Sequence, residues 1–386
     1  MASFKIVRVK PGEVKIGEPL RWAVYTLENS LLLKKGTVVS SSKQLQVLIE
    51  RGIYREMTQE EIQEEERRHA RERRRQQRVD PFRLRKQCMD ILAGLLEGIE
   101  NRTRKVSEYE LEDLAEDFQW LCERHADSTL GAIHLCPEFR YNVLHPIHSA
   151  VLCELLGKKL QLPEENRIAM IMAALFMNVG MFTLQERLFA QHSPLTAKQK
   201  TEVFEHPLKS RDLLEHAGVT NPLCLQAVLE HHERIDGKGY PQKLPGEQIC
   251  TEAKIIALAD MYSAMVTPRR HRQPIFAKEA MKSIFEKRGN EVDEVLAAQF
   301  IREVGVFPPG SVVRLVNGEI AIVSKRQVSR KSGDSTHPTV YSVLAPRGAL
   351  YEKPKKRECT HEMFRILGFE PKDKIPPLDP KSIWPH

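Results

Sequence analysis

The chain has 386 residues, 41% hydrophobic and 29% charged, with a formal net charge of +7, long enough for two or three domains with separate cores. No apolar run reaches the roughly 18 residues that cross a bilayer, and no charged-then-apolar leader opens the sequence, so the expectation is a soluble, cytoplasmic protein without a membrane span. Seven cysteines, an odd number without CxxC spacing, exclude a disulfide framework and a zinc knuckle and read as reduced, mostly buried thiols.

Taken in chain order, residues 1–56 read as a small, mostly β module. Short strands turn at Pro11-Gly12 and Glu28-Asn29-Ser30, and a helix over Lys43 to Arg51 stops at Gly52. Residues 57–127 read as helical. The first segment runs from EEIQEEE into RRHARERRRQQR at 67–78, an acid-to-base gradient that suits a solvated helix and its dipole better than nucleic-acid binding. Next come an amphipathic helix with Met89, Leu92, Leu95, Leu96 and Ile99 on one face, and another opened by Ser107 and Glu110 in capping-box spacing that buries Leu111, Leu114, Phe118 and Leu121. Such faces are expected to pack on a neighbour or on a second copy, giving a homodimer through 82–127.

Residues 128–304 alternate helical apolar patterns with short polar connections, as a helical bundle should. From Phe307, FPPGSVVRLVNGEIAIVSKR reads as a β-hairpin turning at Asn317-Gly318. An SH3-like barrel is expected over 305–352 and a basic, proline-rich, partly ordered tail over 353–386. The fold class is therefore mainly α, a helical bundle flanked by an N-terminal β module and a C-terminal β barrel.

The chemistry concentrates in the bundle. The run HHERIDGKGYP at 231–241 joins two adjacent histidines and a carboxylate to a Gly-Tyr-Pro turn, a combination packing alone rarely produces. Gly237 and Gly239 suit positive-φ turn positions, and Tyr240 suits either stacking on a base or covering the core. Lone histidines such as His148, His192 and His216 read more readily as hydrogen-bonded or surface groups than as ligands. For His231, His232 and Asp260 the same bland reading is a set of hydrogen-bonded relics holding the fold.

This run resembles the signature of the HD-GYP family, bacterial metal-dependent phosphodiesterases that hydrolyse cyclic di-GMP. The likeness is specific over roughly 140–275, and the flanks resemble modules that accompany some members. It makes the bundle an HD domain. It implies metal ligands at His145, His206, His231, His232 and Asp260, with His148 a rival to His145, and substrate contacts at Gly239, Tyr240, Pro241 and Arg269 or Arg270. Imidazoles and carboxylates suit iron, manganese or zinc.

The name-giving His-Asp pair of the family corresponds to Met177 and Asn178 in AALFMNVGM, a soft thioether and a neutral amide. Two dications about 3.5 to 4 Å apart need bridging negative charge, so at most one divalent ion per chain is expected, on His206, His231 and His232, or none. The family's phosphate-facing lysine is Met181, and a further aspartate is Ser263.

Three readings follow. The first is a degenerate HD-GYP protein of bacterial cyclic di-GMP signalling, a nucleotide sensor or scaffold for a signalling protein with weak or no hydrolysis. The second is an active phosphodiesterase with a mononuclear three-histidine site, giving linear pGpG at a large rate penalty. The third is a purely structural interaction domain. The resemblance implies a phosphodiesterase whose activity is impaired or lost.

Overall fold

The computed structural model describes residues 5–385 apart from 11, 52, 60, 63–64, 67–68, 70–79, 136–138, 269–273 and 328–336. All of the basic run except His69 lies outside the described residues, as do Arg269 and Arg270. Two compact units divide at Val79 and Asp80.

The first unit is an antiparallel sheet in the order β1-β4-β2-β3, with β1 Ile6–Arg8, β2 Val24–Tyr25, β3 Leu31–Leu33 and β4 Tyr54–Glu56, crossed by helix α1, Ser42–Arg51. Val9, Val14, Leu20, Val24, Val39 and Ile53 form its core. The expected turn at Asn29 is present, with φ at 60°.

The second unit opens with α2, Pro81–Glu100, which Asp80 caps by accepting from the amides of Phe82 and Arg83, with Pro81 in the first turn where a missing N–H costs nothing. The Ser107 hydroxyl accepts from the Glu110 amide at 3.3 Å and so opens α3, Glu108–Leu135, which is broken at His125 (φ −136°, ψ 39°). All nine apolar residues assigned to the faces of these helices are buried. They are covered from within, α3 packing on α2 and on the two helices that follow it, so those faces are not open for a second copy.

Next come α4 Tyr141–Lys159, α5 Glu164–Phe176, a 3-10 turn at Val179–Met181, α6 Phe182–Ala190, α7 Ala197–Ala217, α8 Pro222–Glu230, α9 Thr251–Val266, α10 Ala277–Lys287 and α11 Glu294–Val304. Helix α4 is the axis of the bundle, buried from Tyr141 to Gly157 and packed on α3, α5, α9 and α11, as a helix apolar all round must be. The stretch Glu164–Ala190 is apolar enough by length and composition to pass for a membrane span, contrary to the sequence expectation, yet its apolar window is 83% buried inside this unit.

The C-terminal region is an antiparallel sheet in the order β8-β7-β6-β5-β9, with β5 Val312–Leu315, β6 Ile320–Lys325, β7 Thr339–Leu344, β8 Leu350–Glu358 and β9 Ile366–Phe369. The hairpin turns at Gly318, φ +87°, as its sequence predicts. The expected closure into a barrel is absent among the described residues, because β8 and β9 are edges that do not pair with each other. Nor is 353–386 a loose tail. It supplies most of β8, all of β9, and Ile375, Ile383 and Trp384 to the core under the sheet.

Candidate metal centre

Helix α7 is set in register by a complete capping box: the Thr196 hydroxyl accepts from the Gln199 amide at 3.2 Å, and the Gln199 side chain accepts from the Thr196 amide at 2.9 Å. One buried residue of that helix is His206, followed directly by Pro207. Proline has no N–H, so the carbonyl four residues back, that of Val203, loses its helical donor. The His206 Nδ1–H takes its place at 2.6 Å.

His231 is arranged alike by different means. It caps the end of α8, where the last carbonyls lack partners, and its Nδ1–H donates to the Val228 carbonyl at 2.7 Å. A carbonyl can only accept, so in both rings Nδ1 carries the proton and Nε2 carries the lone pair. These two Nε2 atoms lie 3.1 Å apart.

Two lone pairs that close repel unless a cation or a proton lies between them. The proton is disfavoured: burial, then the charge of His231, push His206 down to about 3, and burial likewise lowers His231. His232, lowered well below its usual range by burial and by its two neighbours, completes a group whose ligand atoms all lie within 4.8 Å of one another. Imidazole nitrogens about 2.1 Å from one ion stand roughly 3.0 to 3.4 Å apart at right-angled to tetrahedral geometry, so the His206–His231 pair at 3.1 Å has the spacing of two donors to a single divalent ion, with His232 within 4.8 Å as a third. The carbonyls of Val203 and Val228 supply the outer hydrogen bonds that orient ligating histidines.

His145 and Asp260 form a separate pair beside this cluster. His145 Nε2 meets Asp260 Oδ1 at 2.7 Å, and its Nδ1 meets the Ser263 hydroxyl at 3.0 Å. Both ring nitrogens are thereby engaged. Burial alone would push the Asp260 carboxyl up, but the His145 hydrogen bond and the charges of His145, His232 and His231 hold it well below the usual carboxylate range.

His148, the rival to His145, does not join the group. Its Nδ1 faces the Thr267 hydroxyl at 3.3 Å, while its buried Nε2 has no hydrogen-bond partner.

Met177 is fully buried at the end of α5, and Asn178 opens the 3-10 turn with its Oδ1 buried and without a partner. The turn is pressed on α7: the Gly180 amide donates to the Ser210 hydroxyl at 2.9 Å, and a methyl group at Gly180 would lie 2.7 Å from the His206 carbonyl. Only glycine permits that approach.

The Gly-Tyr-Pro loop forms the wall. Glu233 accepts from the amides of Gln242, Lys243 and Leu244 at 2.6, 3.0 and 3.0 Å. A side chain at Gly239 would lie 2.4 Å from Glu233 Cα. The Tyr240 ring stacks on His232 at 4.7 Å and meets Phe204 edge-on at 4.7 Å, so it covers the cluster; the neighbouring Pro241 follows a cis bond. Sequence reasoning missed Val203, Val228 and Glu233, and it read Ser263 only as a lost aspartate, not as the partner of His145. The one legible signal was the His-Pro pair at 206–207, since a proline always leaves a carbonyl behind it unpaired.

An HD-domain family model matches residues 86–296. A cyclic di-GMP phosphodiesterase of Pseudomonas aeruginosa is 26% identical over 273 residues, 70% of this chain and 63% of that protein. A cyclic di-GMP phosphodiesterase response regulator of Xanthomonas campestris is 30% identical over 142 residues, 36% of this chain and 37% of that protein. A 3'3'-cGAMP-specific phosphodiesterase of Vibrio cholerae is also 30% identical over 142 residues, 37% of this chain and 33% of its own. The chain thus spans less than two thirds of the length of these relatives. Among solved structures, an HDG"Y"P protein from Bdellovibrio bacteriovorus aligns at a TM-score of 0.49 with 13% identity, covering 77% of this chain and 98% of that one.

Proposed function

This chain belongs to the HD-domain family, and from that membership we propose that it is a cytoplasmic receptor for cyclic di-GMP that binds one divalent ion and hydrolyses the dinucleotide weakly or not at all. The observation that carries the proposal is the pair of facing Nε2 lone pairs of His206 and His231, in a unit where the buried Met177 and Asn178 bring no charge.

His206, His231 and His232 would hold the ion, of iron, manganese or zinc type. When bound, it supplies Lewis acidity toward a phosphate oxygen. The protein supplies the rest. Val203 and Val228 fix the tautomers, Tyr240 shields His232 from bulk water, and His145 and Asp260 satisfy each other by hydrogen bonding. A second dication would need bridging negative charge that the thioether of Met177 and the amide of Asn178 lack, so the leaving oxygen of a phosphodiester would depart without a neutralising cation. Relatives that act on cyclic di-GMP or cGAMP support a cyclic dinucleotide as the ligand. A signalling protein is the partner that would read its occupancy.

The test is metal content by plasma mass spectrometry with a cyclic di-GMP titration and a turnover assay on the same sample. About one ion per chain, saturable binding and no turnover support the receptor. Two ions with rapid release of pGpG would make it an ordinary phosphodiesterase, and neither ion nor nucleotide would reduce it to an interaction domain; either overturns the proposal.

A further inference from the structure

Helix α9 carries two polar side chains one turn apart, Asp260 and Ser263, and both reach the same imidazole on α4. Asp260 Oδ1 meets His145 Nε2 at 2.7 Å, and the Ser263 hydroxyl meets His145 Nδ1 at 3.0 Å. Residues three apart on a helix share a face, which is what lets one helix grip both edges of a ring on its neighbour. His145 and Ser263 are buried.

Two further contacts hold the ring from its own helix. Tyr141 stacks on it, with centroids 5.3 Å apart and 18° between the planes, and the Ser149 hydroxyl donates to the His145 carbonyl at 3.0 Å.

The hydrogen on this ring stands on the opposite nitrogen from those in the neighbouring cluster. His206 and His231 donate from Nδ1 to backbone carbonyls and present Nε2 lone pairs. At His145 it is Nε2 that faces a carboxylate, which only accepts, so Nε2 carries the hydrogen and has no lone pair for an ion. Nδ1 is then an acceptor, and the Ser263 hydroxyl donates to it. Without that donor a buried lone pair would go unpaired, which is costly.

We propose that Asp260 and Ser263 are positioning residues that withdraw His145 from the ligand set, leaving the ion to His206, His231 and His232. The inference rests on the single-ion reading above and adds what enforces it. Position 263 is the sensitive point of the arrangement. A carboxylate there would accept from Nδ1, draw the hydrogen off Nε2 and release that nitrogen as a donor to metal.

The experiment is NMR of the histidine side-chain nitrogens in the 15N-labelled full chain, metal-free and titrated with zinc, with His145 assigned by its loss in His145→Gln. In the parent, His145 should keep its hydrogen on Nε2 throughout, while the Nε2 signals of His206 and His231 and a ring nitrogen of His232 shift as one equivalent of zinc binds. Ser263→Ala should move the His145 Nδ1 signal toward that of an unbonded lone pair, and Ser263→Thr, which keeps a hydroxyl, should return it. Ser263→Asp should take up a second equivalent of zinc, seen at His145 Nε2. Zinc replacing the Nε2 hydrogen of His145 in the parent, a hydrogen on Nδ1 but not on Nε2 in the metal-free parent, or a Ser263→Ala spectrum identical to the parent's would overturn the proposal. Silence of His206, His231 and His232 toward zinc is a separate failure, that of the single-ion reading, and would take this proposal with it.

Discussion

The His206-Pro207 pair shows how a single residue can act on a site through the backbone. Pro207 removes a helical hydrogen bond and hands the Val203 carbonyl to the imidazole. Pro207→Ala restores a backbone donor that competes for that carbonyl. We expect two opposed effects: a higher melting temperature, since proline inside a helix costs about 3 kcal/mol, and metal affinity lower by about tenfold or more, the usual penalty for losing an orienting partner. Thermal denaturation of the apo-protein and competitive metal titration would measure the two; unchanged metal affinity would show that the carbonyl does not set the tautomer.

Glu154, fully buried on α4 beside Arg167, permits a pH prediction. Burial raises its carboxyl to about 7 even though Arg167 pulls the other way. Because the folded value lies above the unfolded one, its contribution to stability is fully present below about 4.5 and is lost as pH rises through about 7. Glu154→Gln should therefore flatten that part of the stability profile and, at pH 8, stabilise the protein by an amount on the order of 2 to 3 kcal/mol. Urea unfolding at pH 4.5 and pH 8 would check it, and equal effects at both would refute it. At this scale the sequence made the histidines legible, because residue type and spacing mark possible ligands. It did not reveal which nitrogen carries the proton, which depends on carbonyls set by helix ends and a proline.

The elements were more legible than the site. The 3.6-residue spacing of Leu111, Leu114, Phe118 and Leu121 places them on one buried face, and Asn317-Gly318 gives the hairpin turn. The break at His125 in α3 was not visible, because no proline or glycine marks it; the Ser128 hydroxyl donates to the His125 carbonyl at 3.1 Å and the Thr129 hydroxyl to that of Leu121 at 3.2 Å. The capping box of α7 was also unread, though its Thr-x-x-Gln spacing is as plain as that of Ser107 and Glu110. Since it fixes the start of the helix that carries His206, Thr196→Ala should cost about 1 kcal/mol, read as a lower urea midpoint with an unchanged slope; no change would mean that tertiary contacts alone set this end.

Over the whole chain, the misread part was the end. Lysine- and proline-rich sequence has the composition of a disordered segment, yet β8 is an edge strand, and a strand with one partner needs few apolar residues. Its exposure pattern is that of such an edge. The last residues then return to the helical unit. Lys381 pairs with Asp80, and the buried Trp384 donates its Nε1–H to the Ser324 carbonyl at 2.8 Å. Its ring lies over Gly131, where any side chain would stand 2.4 Å from it. Trp384→Ala should cost about 3 to 5 kcal/mol, seen as a large fall in melting temperature of the 80–386 unit; a loss under 1 kcal/mol would mean that the sheet and bundle hold together without this residue.

The three amides gathered by Glu233 have a kinetic consequence. A carboxylate that already ties Gln242, Lys243 and Leu244 holds the loop behind Tyr240 in one conformation before any ligand arrives. Association there involves little loss of chain entropy in that segment. A ligand would meet a standing wall, so its arrival rate should be set by diffusion and charge, and its selectivity by how long it stays.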